Sequence, residues 1–216
     1  MKIRWLGHAS FLIETGKDRI ITDPFDERAG YAVFTETVDI ATVSHEHWDH
    51  NAVEILAGKP RIIRGEGEFR LGEITITGFS SFHDQTRGRD RGKNTIYKIL
   101  AEGMELLHLG DLGHILSPRE IEAIGRVDIL LLPVGGTYTI DARQALETMK
   151  QLNPRITIPM HYQTPHVKIS LAPLEAFTGQ LERVVKRPLL EIKPEELPEE
   201  SLVVVLDYLY QQYIAE

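Results

Sequence analysis

The chain has 216 residues, 24 Lys plus Arg against 32 Asp plus Glu for a formal charge of −8, nine His and no Cys. At that length a single domain spanning residues 1–216 can bury about 70% of the surface that its unfolded form exposes. The missing thiols exclude a disulfide scaffold, a thiolate zinc finger, an iron–sulfur cluster and a cysteine nucleophile, and they leave imidazole and carboxylate as the strong metal ligands. The acidic balance argues against nonspecific binding of nucleic acid or an anionic membrane, although a local basic patch stays open. Met1–Thr15 has no basic stretch followed by a long apolar core, and no window reaches the ~18 apolar residues of a membrane span. These features predict a soluble, cytoplasmic protein.

In chain order, short apolar and β-branched runs predict strands at Lys2–Leu6, Ser10–Glu14, Arg19–Thr22, Asp39–Val43, Arg61–Arg64, Glu73–Thr77, Thr95–Leu100, Glu105–Leu109, Asp128–Leu132, Arg155–Ile158 and Ser201–Leu206. Ser117-Pro118-Arg119-Glu120 reads as a capping box with proline in the first turn, opening a helix to about Ala123. Asp141 can cap a helix over Ala142–Leu152, where Ala142, Ala145, Leu146, Met149 and Leu152 share a face. A third helix is expected over Leu171–Val185, despite Gly179. Early strands read as antiparallel hairpins and later ones alternate with helices, which two packed sheets with helices outside would satisfy.

The chemistry concentrates in His45-Glu46-His47-Trp48-Asp49-His50, after an apolar strand and before a helix expected to start near Asn51. In extended chain His45 and His47 project to one side. Four ligating side chains within six residues exceed what one tetrahedral ion takes from so short a segment, since a catalytic site keeps a position open for water. Two adjacent ions account for them. Three further candidates each follow a strand: His83, Asp111 after Gly110, and His161.

With these residues in place the chain resembles the metallo-β-lactamase superfamily, whose signature His45-x-His47-x-Asp49-His50 is followed in order by His83, Gly110-Asp111 and His161. It looks most similar to the compact branch of L-ascorbate-6-phosphate lactonase-like hydrolases. That likeness rests on Trp5-Leu6-Gly7-His8-Ala9-Ser10-Phe11, Asp23-Pro24-Phe25, Leu132–Thr139 and Pro159-Met160-His161-Tyr162.

The resemblance implies a mixed α+β/α/β fold, a four-layer αββα sandwich with a metal centre at one edge. It implies that His45, His47 and His83 hold one ion, that Asp49, His50 and His161 hold the other, and that Asp111 bridges them. Two divalent ions, Zn²⁺ or alternatively Mn²⁺ or Fe²⁺, would acidify a shared water for attack on a lactone or phosphate ester, with Asp49 orienting it. Asp23 could accept a ligand histidine's second N–H or simply form the turn before Pro24, and His8 could reach the site or the substrate or make a structural hydrogen bond. Only 55 residues follow His161, which argues against the helical substrate domain of a glyoxalase II, and the Asp111–His161 interval is short for an RNA-processing insertion.

Other readings of the same residues stay open. Gly135-Gly136 could present backbone N–H groups to an anion or form a simple turn. His114 and Tyr162 could be near the site or pack, and His108 and His166 read as structural. Arg87, Arg89, Arg91 and Lys93 could rim an anion pocket or form a solvated loop. A phosphodiesterase acting on nucleotides or lipid head groups, and a metal-binding sensor without turnover, are the competing functions.

Overall fold

The computed structural model describes residues 1–208. Its strands are β1 (Lys2–Gly7), β2 (Ser10–Glu14), β3 (Arg19–Thr22), β4 (Ile40–Val43), β5 (Arg61–Arg64), β6 (Gly67–Leu71), β7 (Ile74–Phe82), β8 (Lys93–Ala101), β9 (Met104–His108), β10 (Ile129–Pro133), β11 (Ile156–Met160), β12 (Val184–Arg187), β13 (Leu190–Glu191) and β14 (Leu202–Leu206). Among the described residues they form two sheets, ordered β13-β1-β2-β3-β4-β5 and β12-β14-β11-β10-β9-β8-β7-β6.

Both sheets are mixed. β1, β2 and β3 pair antiparallel and β3, β4 and β5 parallel. In the second sheet β6 to β9 form antiparallel neighbours, whereas β9, β10, β11, β14 and β12 run parallel. The difference is written in the side chains. β10, Ile-Leu-Leu-Leu-Pro, is buried along its whole length, as a parallel strand covered on both faces must be. In the first sheet alternate residues part company: Phe11, Ile13, Ile20 and Ile40 join the core between the sheets, while Leu12, Ile21 and Ala41 face outward into a second cluster with Phe25, Tyr31 and Val167.

Tyr97 on β8 ties the layers together, its Oη donating to the carbonyls of Val43 (2.9 Å) and Ile63 (3.3 Å) on β4 and β5. Tyr97→Phe leaves that geometry in place and removes the donor. It should cost about 1–2 kcal/mol, read as a lower denaturant midpoint at unchanged m-value.

The helices are α1 (Pro118–Ile124), α2 (Ala142–Leu152) and α3 (Glu175–Thr178). α1 and α2 open on the expected caps, Ser117 with Glu120 and Asp141 with Gln144, and α2 packs on β10. Two expected helices are corrected. The segment after Asn51 forms a single 3-10 turn, Val53–Ile55, whose preceding residue Ala52 offers no capping side chain. Among the described residues, the outer cover of the first sheet is therefore built of loops and 3-10 turns. The helix expected over Leu171–Val185 shrinks to the one turn of α3, because Pro173 delays its start and Gly179 follows its end, and Val184 and Val185 pair instead with Val203 and Val204 of β14. No helix among the described residues is long and apolar enough to cross a membrane.

Candidate metal centre

The ligand candidates, with His8 and Asp23, lie in the segments that follow strands and converge on one edge of the sandwich. His8 occupies the turn between β1 and β2, Asp23 follows β3, and His45, His47, Asp49 and His50 follow β4. From the second sheet come His83 after β7, Asp111 after β9 and His161 after β11. Three of these residues hold left-handed backbone conformations that non-glycine side chains rarely adopt: His8 (φ 53°), Asp23 (φ 39°) and His161 (φ 53°). Such strain persists where surrounding contacts over-determine it, and it gathers at functional sites.

Asp23 organises one side. Its Oδ1 accepts the Ser44 backbone N–H (2.7 Å), and its Oδ2 accepts the Ser44 hydroxyl (2.6 Å) and His50 Nδ1–H (2.9 Å). With its proton given to Asp23, Ser44 Oγ accepts from His45 Nδ1 at 2.9 Å. Both imidazoles are thus oriented with Nδ1 as the donor to this network and Nε2 turned to the centre, where it can coordinate once deprotonated. His45 Nε2 is buried and has no hydrogen-bond partner.

Asp111 occupies the middle. Its Oδ2 stands 3.2 Å from His83 Nε2, 3.2 Å from His161 Nε2 and 3.4 Å from His50 Nε2, while its buried Oδ1 has no partner. The preceding Gly110 has φ 55°, and a Cβ there would lie 2.4 Å from Asn94 Oδ1 and 2.6 Å from Ser44 Cβ. Asn94 in turn accepts the Asp111 N–H (3.0 Å) and donates to Ser81 and to the Leu109 carbonyl. Asn94 and Ser44 are functional residues that the sequence reading missed. Neither is a ligand type, so only their places beside a strand end could have marked them.

His45, His47 and His83 form one group whose ligand atoms lie within 4.8 Å of one another, and His8, His50 and His161 form a second. Asp49 Oδ2 sits 3.2 Å from His8 Nε2 and 4.0 Å from His50 Nε2. Burial, reinforced by His50, pushes His45 down to about 2, and burial with repulsion from His161 pushes His8 down to about 4. Burial also works against a charge on His50, but there the Asp111 and Asp23 carboxylates on either side raise its pKa well above the ordinary value. Burial would raise Asp111, yet the His161 and His50 imidazoles hold it well below the usual carboxylate range. The pocket thus asks for positive charge between Asp111 and Asp23. Orphaned buried donor atoms, clustered imidazoles and a central carboxylate fit divalent-cation binding through nitrogen and oxygen ligands.

The remaining candidates resolve into support. His108 Nε2 donates to the Ala9 carbonyl at 2.8 Å, joining β9 to the first sheet. Tyr162 packs on Trp5, and His114 accepts the Phe82 N–H. Gly135 backs His161: a Cβ there would fall 1.9 Å from the His161 carbonyl oxygen. Gly135→Ala should therefore destabilise by about 3 kcal/mol or more, since backbone must yield, and should weaken metal uptake by displacing His161; a denaturation curve and a metal titration check the two effects.

Beside His45 and His47 opens a cleft of about 530 Å³ whose lining also includes Arg64, Arg91 and Lys93. Arg64 is engaged by Glu46 and Asn51. Arg91 is held by the Thr137 carbonyl (3.2 Å) and lies over the Tyr138 ring. The segment between His83 and Arg91 is an ordered loop wound on Asp84, whose carboxylate accepts from the backbone N–H of Thr86, Gly88, Asp90 and Arg91 and from the Thr86 hydroxyl. Those bonds hold the Asp84 carboxyl below the usual range against the effect of burial. Arg91 and Lys93 reach the cleft, whereas Arg89 pairs with Asp90 at the surface.

Comparison with known proteins agrees with this geometry. A profile for the β-lactamase superfamily domain matches residues 2–161. A UPF0173 protein of Pyrococcus furiosus is 32% identical over 85% of this chain and 91% of its own length. A UPF0173 metal-dependent hydrolase of Thermoplasma volcanium is 33% identical over 76% of this chain and 84% of its own. A Thermotoga maritima crystal structure, described as a candidate Zn-dependent hydrolase of the metallo-β-lactamase superfamily, superposes with a TM-score of 0.83 at 38% identity, covering 96% of this chain and 99% of that one. The chain accordingly belongs to the metallo-β-lactamase superfamily and, within it, to the UPF0173 metal-dependent hydrolases.

Proposed function

We propose that the protein hydrolyses a small anionic molecule, a lactone or a phosphate ester as in the lactonase-like branch, with two divalent ions held at the edge of the sandwich. The observation that carries this reading is the place of Asp111 Oδ2, within 3.4 Å of His83 on one side and of His50 and His161 on the other. His45, His47 and His83 would hold one ion, His50 and His161 with Asp49 the second, and Asp111 both. Zinc suits this set and is the metal in the description of the Thermotoga protein, while Mn²⁺ or Fe²⁺ would also fit imidazole and carboxylate. Two such ions supply Lewis acidity and an acidified water for attack on a carbonyl or phosphorus centre.

The chain's own groups do the rest. Asp49, partly exposed at the centre and hydrogen-bonded to His8, is placed to take a proton at Oδ2. Arg91 and Lys93 receive the substrate's negative group across the cleft from His47. Asp23 and Ser44 hold His45 and His50 in the tautomers that point their lone pairs inward.

The test is a panel of lactones, phosphate monoesters, phosphodiesters and neutral esters offered to zinc- or manganese-loaded protein. Anionic lactones or phosphate monoesters should be turned over, and Arg91→Ala should raise their KM at least about tenfold with a much smaller change in kcat. Hydrolysis of neutral esters alone would defeat the anionic assignment, phosphodiesters alone would favour the phosphodiesterase, and metal uptake without turnover of any compound would favour a sensor.

A further inference from the structure

We infer that His8 is itself a metal ligand, the third imidazole of the ion site formed by His50 and His161. The inference rests on the two-ion reading above and adds to it a donor that lies far from the 45–50 cluster in sequence.

The spacing is that of co-ligands. Two atoms bound to one four- or five-coordinate ion at about 2.05 Å lie about 2.9–3.6 Å apart, and His8 Nε2 is 3.1 Å from His50 Nε2. The His50 tautomer is set, since its Nδ1 donates to Asp23, so its Nε2 lone pair points into the space that His8 also faces. His161 completes the trio, with all three ligand atoms within 4.8 Å of one another and the His8 and His161 rings 4.3 Å apart.

Among the described residues, only Asp49 and His50 stand within hydrogen-bond distance of the His8 ring nitrogens. The residue is 2% exposed and its Nδ1 has no partner. Its backbone, by contrast, is held hard. The His8 carbonyl accepts the Trp5 indole N–H (3.0 Å) and the His161 backbone N–H (3.0 Å), which fixes His8 against a neighbouring ligand in a left-handed conformation. Gly7 makes the turn possible: at φ 117° a Cβ would lie 2.5 Å from the Tyr31 ring. A strained turn clamped to His161 is the arrangement expected of a group that must be delivered to a fixed point.

The rival role is positioning alone, with His8 donating to Asp49 Oδ2 at 3.2 Å and touching no ion. Cobalt separates the two. Each imidazole bound to Co²⁺ gives one exchangeable, strongly shifted ring N–H resonance in proton NMR, so the wild-type protein loaded with two Co²⁺ should show six such signals with His8 bound and five without it. His8→Gln, which can still donate to Asp49 but is a poor zinc or cobalt ligand, should lose one of the six signals. It should also weaken the second equivalent of Co²⁺ at least about 100-fold while leaving the first nearly unchanged. Two ions bound with five signals in the wild type would overturn the role of His8 and leave the two-ion reading intact. Uptake of fewer than two ions by the wild type would overturn both.

Discussion

Stripping the protein of divalent ions with a chelator should lower its melting temperature by about 8–16 °C for each ion lost. The estimate follows from mass action. An ion present at a thousandfold excess over its dissociation constant stabilises the folded state by about 4 kcal/mol, provided that the unfolded chain binds it weakly. For a domain of 216 residues each kcal/mol moves the midpoint by about 2–4 °C. The structural reason lies in where the donors come from. His8, Asp23 and the 45–50 segment belong to the first sheet, and His83, Asp111 and His161 to the second. Ions at the seam would join two layers that otherwise meet through apolar packing and bonds such as that of Tyr97. Calorimetry with and without chelator, followed by re-addition of Zn²⁺, measures the effect, and a shift below about 2 °C would speak against ions at this seam.

Asp111→Asn should have the second large effect, reducing bound metal from two equivalents to one or none and hydrolysis at least about 10³-fold, equivalent to about 4 kcal/mol of transition-state stabilisation. The amide keeps the shape and the Asn94 contact to the backbone N–H, but it removes the charge that faces His50, His83 and His161 together. Without that charge two dications held near one another by the flanking imidazoles would be less well compensated. Elemental analysis of the purified variant, with far-ultraviolet circular dichroism to show that it folds, decides the point. Full occupancy of both sites in folded Asp111→Asn would remove Asp111 from its central place.

Much of this centre was legible in the chain because ligands and strand ends coincide. The runs before His45, His83, Asp111 and His161 are apolar enough to declare themselves as strands, and ligand-type side chains just beyond them mark the edge where they meet. Asp23 was legible for the same reason, and its bonds to Ser44 and His50 are those of a carboxylate that orients histidines. What stayed hidden depends on partners distant in sequence. Asn94 lies at the start of β8, and nothing local says that it braces the turn before Asp111. Asp84 reads as one more acidic loop residue until four backbone N–H groups are seen to converge on it.

The same logic explains the misread elements. β6, Gly-Glu-Phe-Arg-Leu, is an edge strand with little apolar signal and takes its structure from pairing with β7. In 171–185 the apolar residues suit a helical face, but Val184 and Val185 find a parallel partner in β14, and tertiary pairing overrides the local preference. After Asn51 the chain covers the outer cluster of the first sheet with Leu56 and a 3-10 turn. No side chain caps the start of that turn, and the segment leaves it for the extended conformation at Leu56.

The loop wound on Asp84 also bears on how such a site can change its preferences over evolutionary time. Its carboxylate gathers the backbone from Thr86 to Arg91, and the His83 N–H bonds the Gly92 carbonyl at 3.1 Å, so both feet of the loop are fastened beside a ligand. Side chains at the exposed tip, Arg87 and Arg89, take no part in that fastening. Mutation can therefore rewrite the tip while His83 stays in register, and neighbouring substrates become reachable without a passage through metal-free intermediates. A hydrolase built this way can keep its reaction and trade its clientele, one surface side chain at a time.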